Sequence, residues 1–448
     1  MPLLSLTTAQ EPKSGLLRWI SLAWGVVLAL ALLKFGNPMI LDRLVTMPTS
    51  LPEWTIQPWP IHLGYILLTI TVLLSLPLIR FDALQQPGKW LFALPLTWLA
   101  WQFVSATQTT DRALTSVTLP QLTALVACYY IGSLALGSRL ALNWFLPPLI
   151  GGFVLVLYFG WDQHYGGLEA TRKMILSQPG SENLPAEHLK RIKSSRIFST
   201  LLYPNTLAGV ILLLLPMVTC GLWAISSRWQ RVLRAVVTGL TAYVGLACLV
   251  WSGSKAGWLI AILMVLAVLL GSNVPRRWKL GLVCGALALG LGAFFLRYAT
   301  YFEKGATSVG ARFDYWKAAC TTAQRFPVLG AGPGTFSLHY RQLKPPEAEM
   351  ALLTHNDYLE QACDSGLPGA ICFTVFVVGV MIRLRPTASG MDLRYAAWLG
   401  LLGWSLQGFV EFGLYIPAVA WPAFFLIGWL HGSQPRQTAA PLPRVRTA

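Results

Sequence analysis

Residues 303–369 read EKGATSVGARFDYWKAACTTAQRFPVLGAGPGTFSLHYRQLKPPEAEMALLTHNDYLEQACDSGLPG, a polar segment stranded between long apolar runs. Arg312 opens an amphipathic helix with Phe313, Trp316 and Cys320 at helical spacing, and Pro327 stops it. Gly330, Gly332 and Gly334 then make a flexible turn, and Thr354-His355-Asn356-Asp357 begins a second helix. The runs on either side decide the fold class, because they are too apolar for anything but lipid to solvate. The polar segment between them is where chemistry is expected.

Of 448 residues, 55% are apolar and only 12% charged, with 19 Trp. The mean hydropathy is +0.56. A single soluble core cannot bury that much apolar surface, so the chain is expected to be an all-α, polytopic membrane protein, one integral membrane domain over 1–448. A first apolar run covers 16–36, and others centre near Leu68, Leu96, Leu125, Val154, Leu213, Thr241, Leu263, Leu287, Phe376, Leu402 and Phe425. At roughly 20 residues per span that predicts about 12 transmembrane helices. Lys34-Phe-Gly-Asn-Pro38 offers no small-x-small cleavage site, so the first run reads as an uncut anchor. Most of the seven cysteines lie inside apolar runs without C-x-x-C spacing, as small core residues do.

The basic residues set the orientation. With the N-terminus in the cytoplasm, the inner connections and tail hold half of the 34 basic residues but only Glu11, Asp82 and Asp392 of the 18 acidic ones. The formal charge of +16 is therefore a topology signal and a contact for anionic lipid, not a nucleic-acid footprint. The same placement puts two long polar loops, 161–203 and 297–366, on the outer face, where they can meet. The tail 432–448, rich in Pro, Arg, Thr and Ala, is expected to be disordered and cytoplasmic. The run KRIKSSRIF at 190–198 reads first as an amphipathic segment lying on headgroups.

The order R-x-x-x-W, F-P-x-x-G-x-G and H-N-x-Y-L-x-x-x-x-x-x-G in 303–369 resembles the large loop of the O-antigen ligase and polymerase superfamily of bacterial polytopic membrane proteins. The resemblance implies an inner-membrane glycosyltransferase whose site faces the periplasm. It would take a glycan from undecaprenyl pyrophosphate and pass it to an acceptor hydroxyl. It also implies that Arg196, in R-x-F followed by Pro204-Asn205, and Lys255, in Ser252-Gly-Ser-Lys255, contact the carrier pyrophosphate. The family has arginine at the second position. Lysine neutralises a phosphate as a point charge but cannot grip it with a bidentate fork, and its plain alternative is a snorkelling anchor at a helix end.

A departing pyrophosphate needs cations where charge develops. Arg312, at the expected start of its helix, would add to the dipole and free N–H groups there. His355 is the expected base. With Thr354 as N-cap, Asp357 at the third helical position and Gly366 as the stop, its ring would sit in a first turn, where the positive helix end keeps imidazole neutral and ready to accept a proton. Asn356, Asp357, Tyr358 and Trp316 support the site, Asp357 and Glu360 capping and orienting, while His339 and Tyr340 are candidate acceptor contacts. No D-x-D, D-D-x-x-D or His/carboxylate spacing in the outer loops suits a metal, and no cofactor is implied. The expected partners are the lipid-linked glycan donor, a lipid or glycan acceptor such as lipid A-core, and the membrane. A ligase is the first reading, a polymerase using a second lipid-linked glycan the next, and a protein O-glycosyltransferase or a lipid-linked sugar transporter the remaining ones. Transporters keep their functional groups at mid-membrane, whereas here they cluster in outer loops.

Overall fold

The computed structural model describes residues 11–81, 89–177, 189, 194–303, 307–386 and 392–434. The tail from 435 onward lies outside the described residues, as do Lys190, Arg191 and Lys193 of the basic run.

Among the described residues helices are the only regular secondary structure, with no strand. In order the helices are α1 (Glu11–Lys34), α2 (Leu51–Ile56), α3 (Ile61–Ser75), α4 (Lys89–Ala106), α5 (Arg112–Tyr130), α6 (Arg139–Asp162), α7 (Leu168–Leu176) and α8 (Pro204–Ile225). There follow α9 (Arg231–Trp251), α10 (Lys255–Gly271), α11 (Arg276–Glu303), α12 (Thr307–Arg325), α13 (Phe336–Leu343), α14 (Asp357–Arg383), α15 (Leu393–Gln407) and α16 (Pro417–Gly432). Every apolar centre read from the sequence falls inside a helix. Among the described residues 8 helical stretches are long and apolar enough to cross a membrane. The other four centres lie in α4, α10, α15 and α16, which are apolar but only 15 to 18 residues long.

The hub is α16, buried from Pro417 to His431. It is apolar all round because it touches protein all round. Small residues allow the close approach: a Cβ on Gly428 would lie 2.1 Å from the Tyr129 carbonyl oxygen of α5. Around this hub α1 runs along α6, α8 along α15, and α4 along α14. By contrast α9 and α11 are peripheral, with little of their length buried within the chain.

The polar segment folds into α12, α13 and a long loop around a small core of its own, which includes Tyr315, Phe336, Tyr340 and Cys363. It is bolted to the bundle where α14 breaks, at Ser365 and Gly366, as the expected stop at Gly366 required. Gly366 has φ 68° and Gly330 has φ 70°, the left-handed region that glycine enters at no steric cost. The break frees carbonyls, and the glycine turn satisfies them: Ala331 N–H donates to Cys363 O (2.7 Å) and Gly332 N–H to Asp364 O (3.1 Å). Gly334 N–H donates to Asp364 Oδ1 (2.9 Å). The turn is thus a clasp for a broken helix, in keeping with the turn-geometry reading.

Candidate functional site

His355 precedes the helix it was expected to enter. Asn356, not Thr354, is the N-cap, its Oδ1 accepting from the N–H groups of Tyr358 and Leu359 (3.0 Å each). The Thr354 hydroxyl donates instead to the Asn356 carbonyl (2.7 Å). His355 itself has left-handed backbone, φ 53°. Its ring is buried, stacked on Tyr315 (5.6 Å between centroids) and met edge-on by Phe412 (4.6 Å). The expected tuning by a helix dipole is therefore corrected: the group beside the ring is a carboxylate, with His355 Nδ1 3.2 Å from Glu411 Oε2.

Glu411 lies on the connector between α15 and α16, buried, and it gathers the site. Its Oε1 accepts from Arg312 Nη2 (2.5 Å) and from Asn205 Nδ2 (2.5 Å). Arg196 Nη2 in turn donates to Asn205 Oδ1 (2.6 Å), and its Nε to the Ser252 carbonyl (2.6 Å). One chain of contacts thus runs from Arg196 through Asn205 and Glu411 to both Arg312 and His355. Arg312 sits in the second turn of α12 rather than at its start, so the helix terminus adds nothing to it. Its Nε also donates to Val410 O (3.1 Å) and its Nη1 to Ser308 O (3.2 Å).

Lys255 is the first residue of α10, behind the N-cap Ser254, whose hydroxyl accepts from Gly257 N–H (3.2 Å). Its ammonium lies over the Tyr301 ring (3.8 Å to the centroid) and near Tyr298 (5.1 Å). Arg196, Lys255, Arg312, His355 and Glu411 all line one cavity of about 1010 Å³. Residues far apart in sequence meet there: the end of the first loop, the α9–α10 turn, α12, the loop before α14 and the last connector. A cationic wall with a buried histidine–carboxylate pair can hold a phosphate-bearing ligand and accept a proton beside it.

The remaining predicted residues stand behind the cavity or elsewhere. Asp357 is the first residue of α14, not the third: its N–H donates to Gly408 O (2.7 Å) and its carboxylate accepts from Leu414 N–H (3.2 Å). It therefore holds both ends of the connector that carries Glu411. Glu360 Oε2 accepts from Thr354 N–H (2.5 Å), which orients the residue before His355. The Tyr358 hydroxyl donates to Ser405 O (3.0 Å). Trp316 lines the cavity. His339 lies away from it, beside Thr110 (3.3 Å), its pKa pushed down by burial and by Arg325. Tyr340 donates to Glu349 O (3.1 Å). Glu411 is the residue that motif reading missed; the one signal for it is that it is the last acidic residue of the chain, alone between two apolar runs.

A stretch of 150 residues is 25% identical to an uncharacterized protein of Haemophilus influenzae, covering 28% of this chain and 38% of that protein's length. Residues 240–374 match the model of the O-antigen ligase family, the span that carries Lys255, Arg312 and His355 but neither Arg196 nor Glu411. Together with the apolar helices, the match points to a bacterial inner-membrane protein. The match supports a relationship of that span, less than a third of the chain, to the O-antigen ligase family.

Proposed function

We propose that this protein transfers a glycan from undecaprenyl pyrophosphate to an acceptor hydroxyl, lipid A-core or a similar acceptor, on the periplasmic side of the inner membrane and without a metal ion. The observation that carries the reading is the convergence of three cations and a carboxylate-bound histidine on one cavity. His355 Nδ1–H donates to Glu411, which leaves Nε2 to take the proton of the acceptor hydroxyl. The acceptor oxygen forms its bond to the anomeric carbon as the bond from that carbon to the phosphate oxygen breaks. The electron pair leaves with undecaprenyl pyrophosphate, whose gathering charge meets Lys255, Arg312 and Arg196. Glu411 stabilises the imidazolium formed, the role a carboxylate plays beside any histidine base. A single displacement of this kind inverts the anomeric centre. Arg196 comes from the loop 161–203 and Arg312 and His355 from 297–366, while Lys255 and Glu411 come from two further connections at the same cavity, and the bias of basic residues toward the other face supports that orientation.

The decisive measurement is the glycan profile of a deletion strain, followed by transfer from purified carrier-linked glycan. Long glycan retained on the carrier beside bare lipid A-core is the expected result. Accumulation of single carrier-linked repeat units would make the protein a polymerase, and an unchanged profile with no transfer by the purified protein would overturn the glycosyltransferase reading.

A further inference from the structure

The cavity is chemically divided. One part holds the half-buried cations with the buried His355 and Glu411, and one side, at Leu259, Phe294 and Phe295, is apolar. The mouth is different: there α12 contributes Phe313, Asp314 and Trp316, and the loop after α13 contributes Glu347 and Glu349, both exposed. Phe313 is 60% exposed although it lies in a polar segment. Its ring meets that of Trp316 at 79°, 5.6 Å between centroids, forming an L-shaped aromatic ledge.

Packing alone does not account for the ledge. The indole Nε1 of Trp316 is buried with no acceptor among the described residues, a cost that phenylalanine would avoid. What tryptophan adds is a broader ring. A membrane-interface anchor is an equally common use of exposed aromatics, but three carboxylates share this mouth, and they repel the anionic headgroups such an anchor would meet. Aromatic faces flanked by carboxylates suit one ligand class: a pyranose, whose C–H face stacks on the ring while its vicinal hydroxyls donate to the carboxylate oxygens. The same carboxylates repel pyrophosphate, and the cations at the other end attract it. Charge thus favours one orientation of a lipid-linked glycan, adding to the stacking on the ledge.

We infer that Phe313 and Trp316, with Asp314, Glu347 and Glu349, form a pyranoside subsite that fixes the glycan of a substrate at the cavity mouth. The inference rests on the glycosyltransferase reading for its substrate class, and it is tested by binding, which needs no turnover. The probes are undecaprenyl pyrophosphate, the same carrier bearing one N-acetylhexosamine, and a lipid A-core acceptor, each titrated against purified protein in nanodiscs. Phe313→Ala/Trp316→Ala should weaken the sugar-bearing carrier about 10-fold and leave the bare carrier within about 2-fold. Glu347→Gln/Glu349→Gln should act in the same direction. Trp316→Phe keeps a ring and loses the orphaned N–H, so it should be at least as stable as wild type while binding the sugar more weakly. If acceptor affinity falls instead of donor affinity, the pyranoside held is the acceptor's. Equal weakening of the bare carrier, or no change for any sugar-bearing probe in a folded variant, would overturn the subsite. Failure of the glycosyltransferase reading would look different, as intact sugar binding without transfer by the wild type.

Discussion

Glu411 Oε2 stands 3.2 Å from His355 Nδ1 although 56 residues separate them in the chain. The same carboxylate holds Arg312 through its other oxygen, so a base candidate and a phosphate-binding candidate share one anchor. Charge at Glu411 thereby affects both halves of the proposed reaction.

Glu411→Gln keeps the shape and removes the charge. Turnover should fall by about 100-fold or more, since the amide can no longer stabilise imidazolium. Glu411→Ala should also destabilise the protein by about 3–5 kcal/mol, because it strands the Arg312 guanidinium in a half-buried site. Single-turnover transfer and thermal unfolding separate the two effects, and a fully active Glu411→Gln would remove this residue from the mechanism.

His355→Ala should lower turnover by at least about 100-fold with normal amounts of protein in the membrane. Chelation should leave the wild type active. Activity abolished by EDTA and restored by magnesium would reject the metal-independent mechanism.

Lys255 and Arg312 should respond oppositely to exchange of one cation for the other. Lys255→Arg should keep or improve activity, while Lys255→Gln should lose about 10- to 100-fold through leaving-group stabilisation. Arg312→Lys should already be impaired, since a single ammonium cannot reproduce contacts to Glu411, Val410 and Ser308 at once. Equal rates for wild type and Lys255→Gln, normalised to folded protein, would leave Lys255 as a helix-end anchor over Tyr301.

Gly330→Ala should unfold the clasp. Its Cβ would lie 2.4 Å from the Asp364 carbonyl carbon, at a φ of 70° that alanine adopts only with strain. A loss of about 2–4 kcal/mol in stability is expected, with the His355 segment becoming the first region exposed to protease in a limited digest.

Orientation is tested by single cysteines in a background lacking the seven native ones. Ala348→Cys, at the cavity, should react with an impermeant reagent added outside the inner membrane, and Ser272→Cys, at the far end of α10, should not. The reverse pattern would turn the site to the cytoplasm and end the proposal.

The helices were legible because lipid leaves the sequence little choice: twelve apolar runs had to be helices, and each contains one. Arg196, Lys255, Arg312 and His355 were legible through local motifs, and the cavity brings them together. The local details at two of them were not. Thr354 and Asn356 are both good caps, and periodicity cannot choose between them; contacts from Glu411, Phe412 and Tyr315 hold His355 outside the helix. The helix bearing Arg312 reaches back to Thr307, through Val309, Gly310 and Ala311, a stretch too short and too mixed to show helical periodicity. Glu411 had no motif at all, since its meaning lies in partners 56 and 99 residues away.

The helix α11 contributes Phe294, Phe295 and Tyr301 to the cavity, yet almost none of its length is buried within the chain. It packs on α10, where the Trp258 indole donates to Gly290 O (3.1 Å), and not on the hub around α16. The chamber therefore has one wall enclosed by protein and another that leans on α10, with its far face turned to the membrane. Its width is a joint property of sequence and bilayer, so a turnover number for this protein belongs to a lipid composition as much as to a polypeptide.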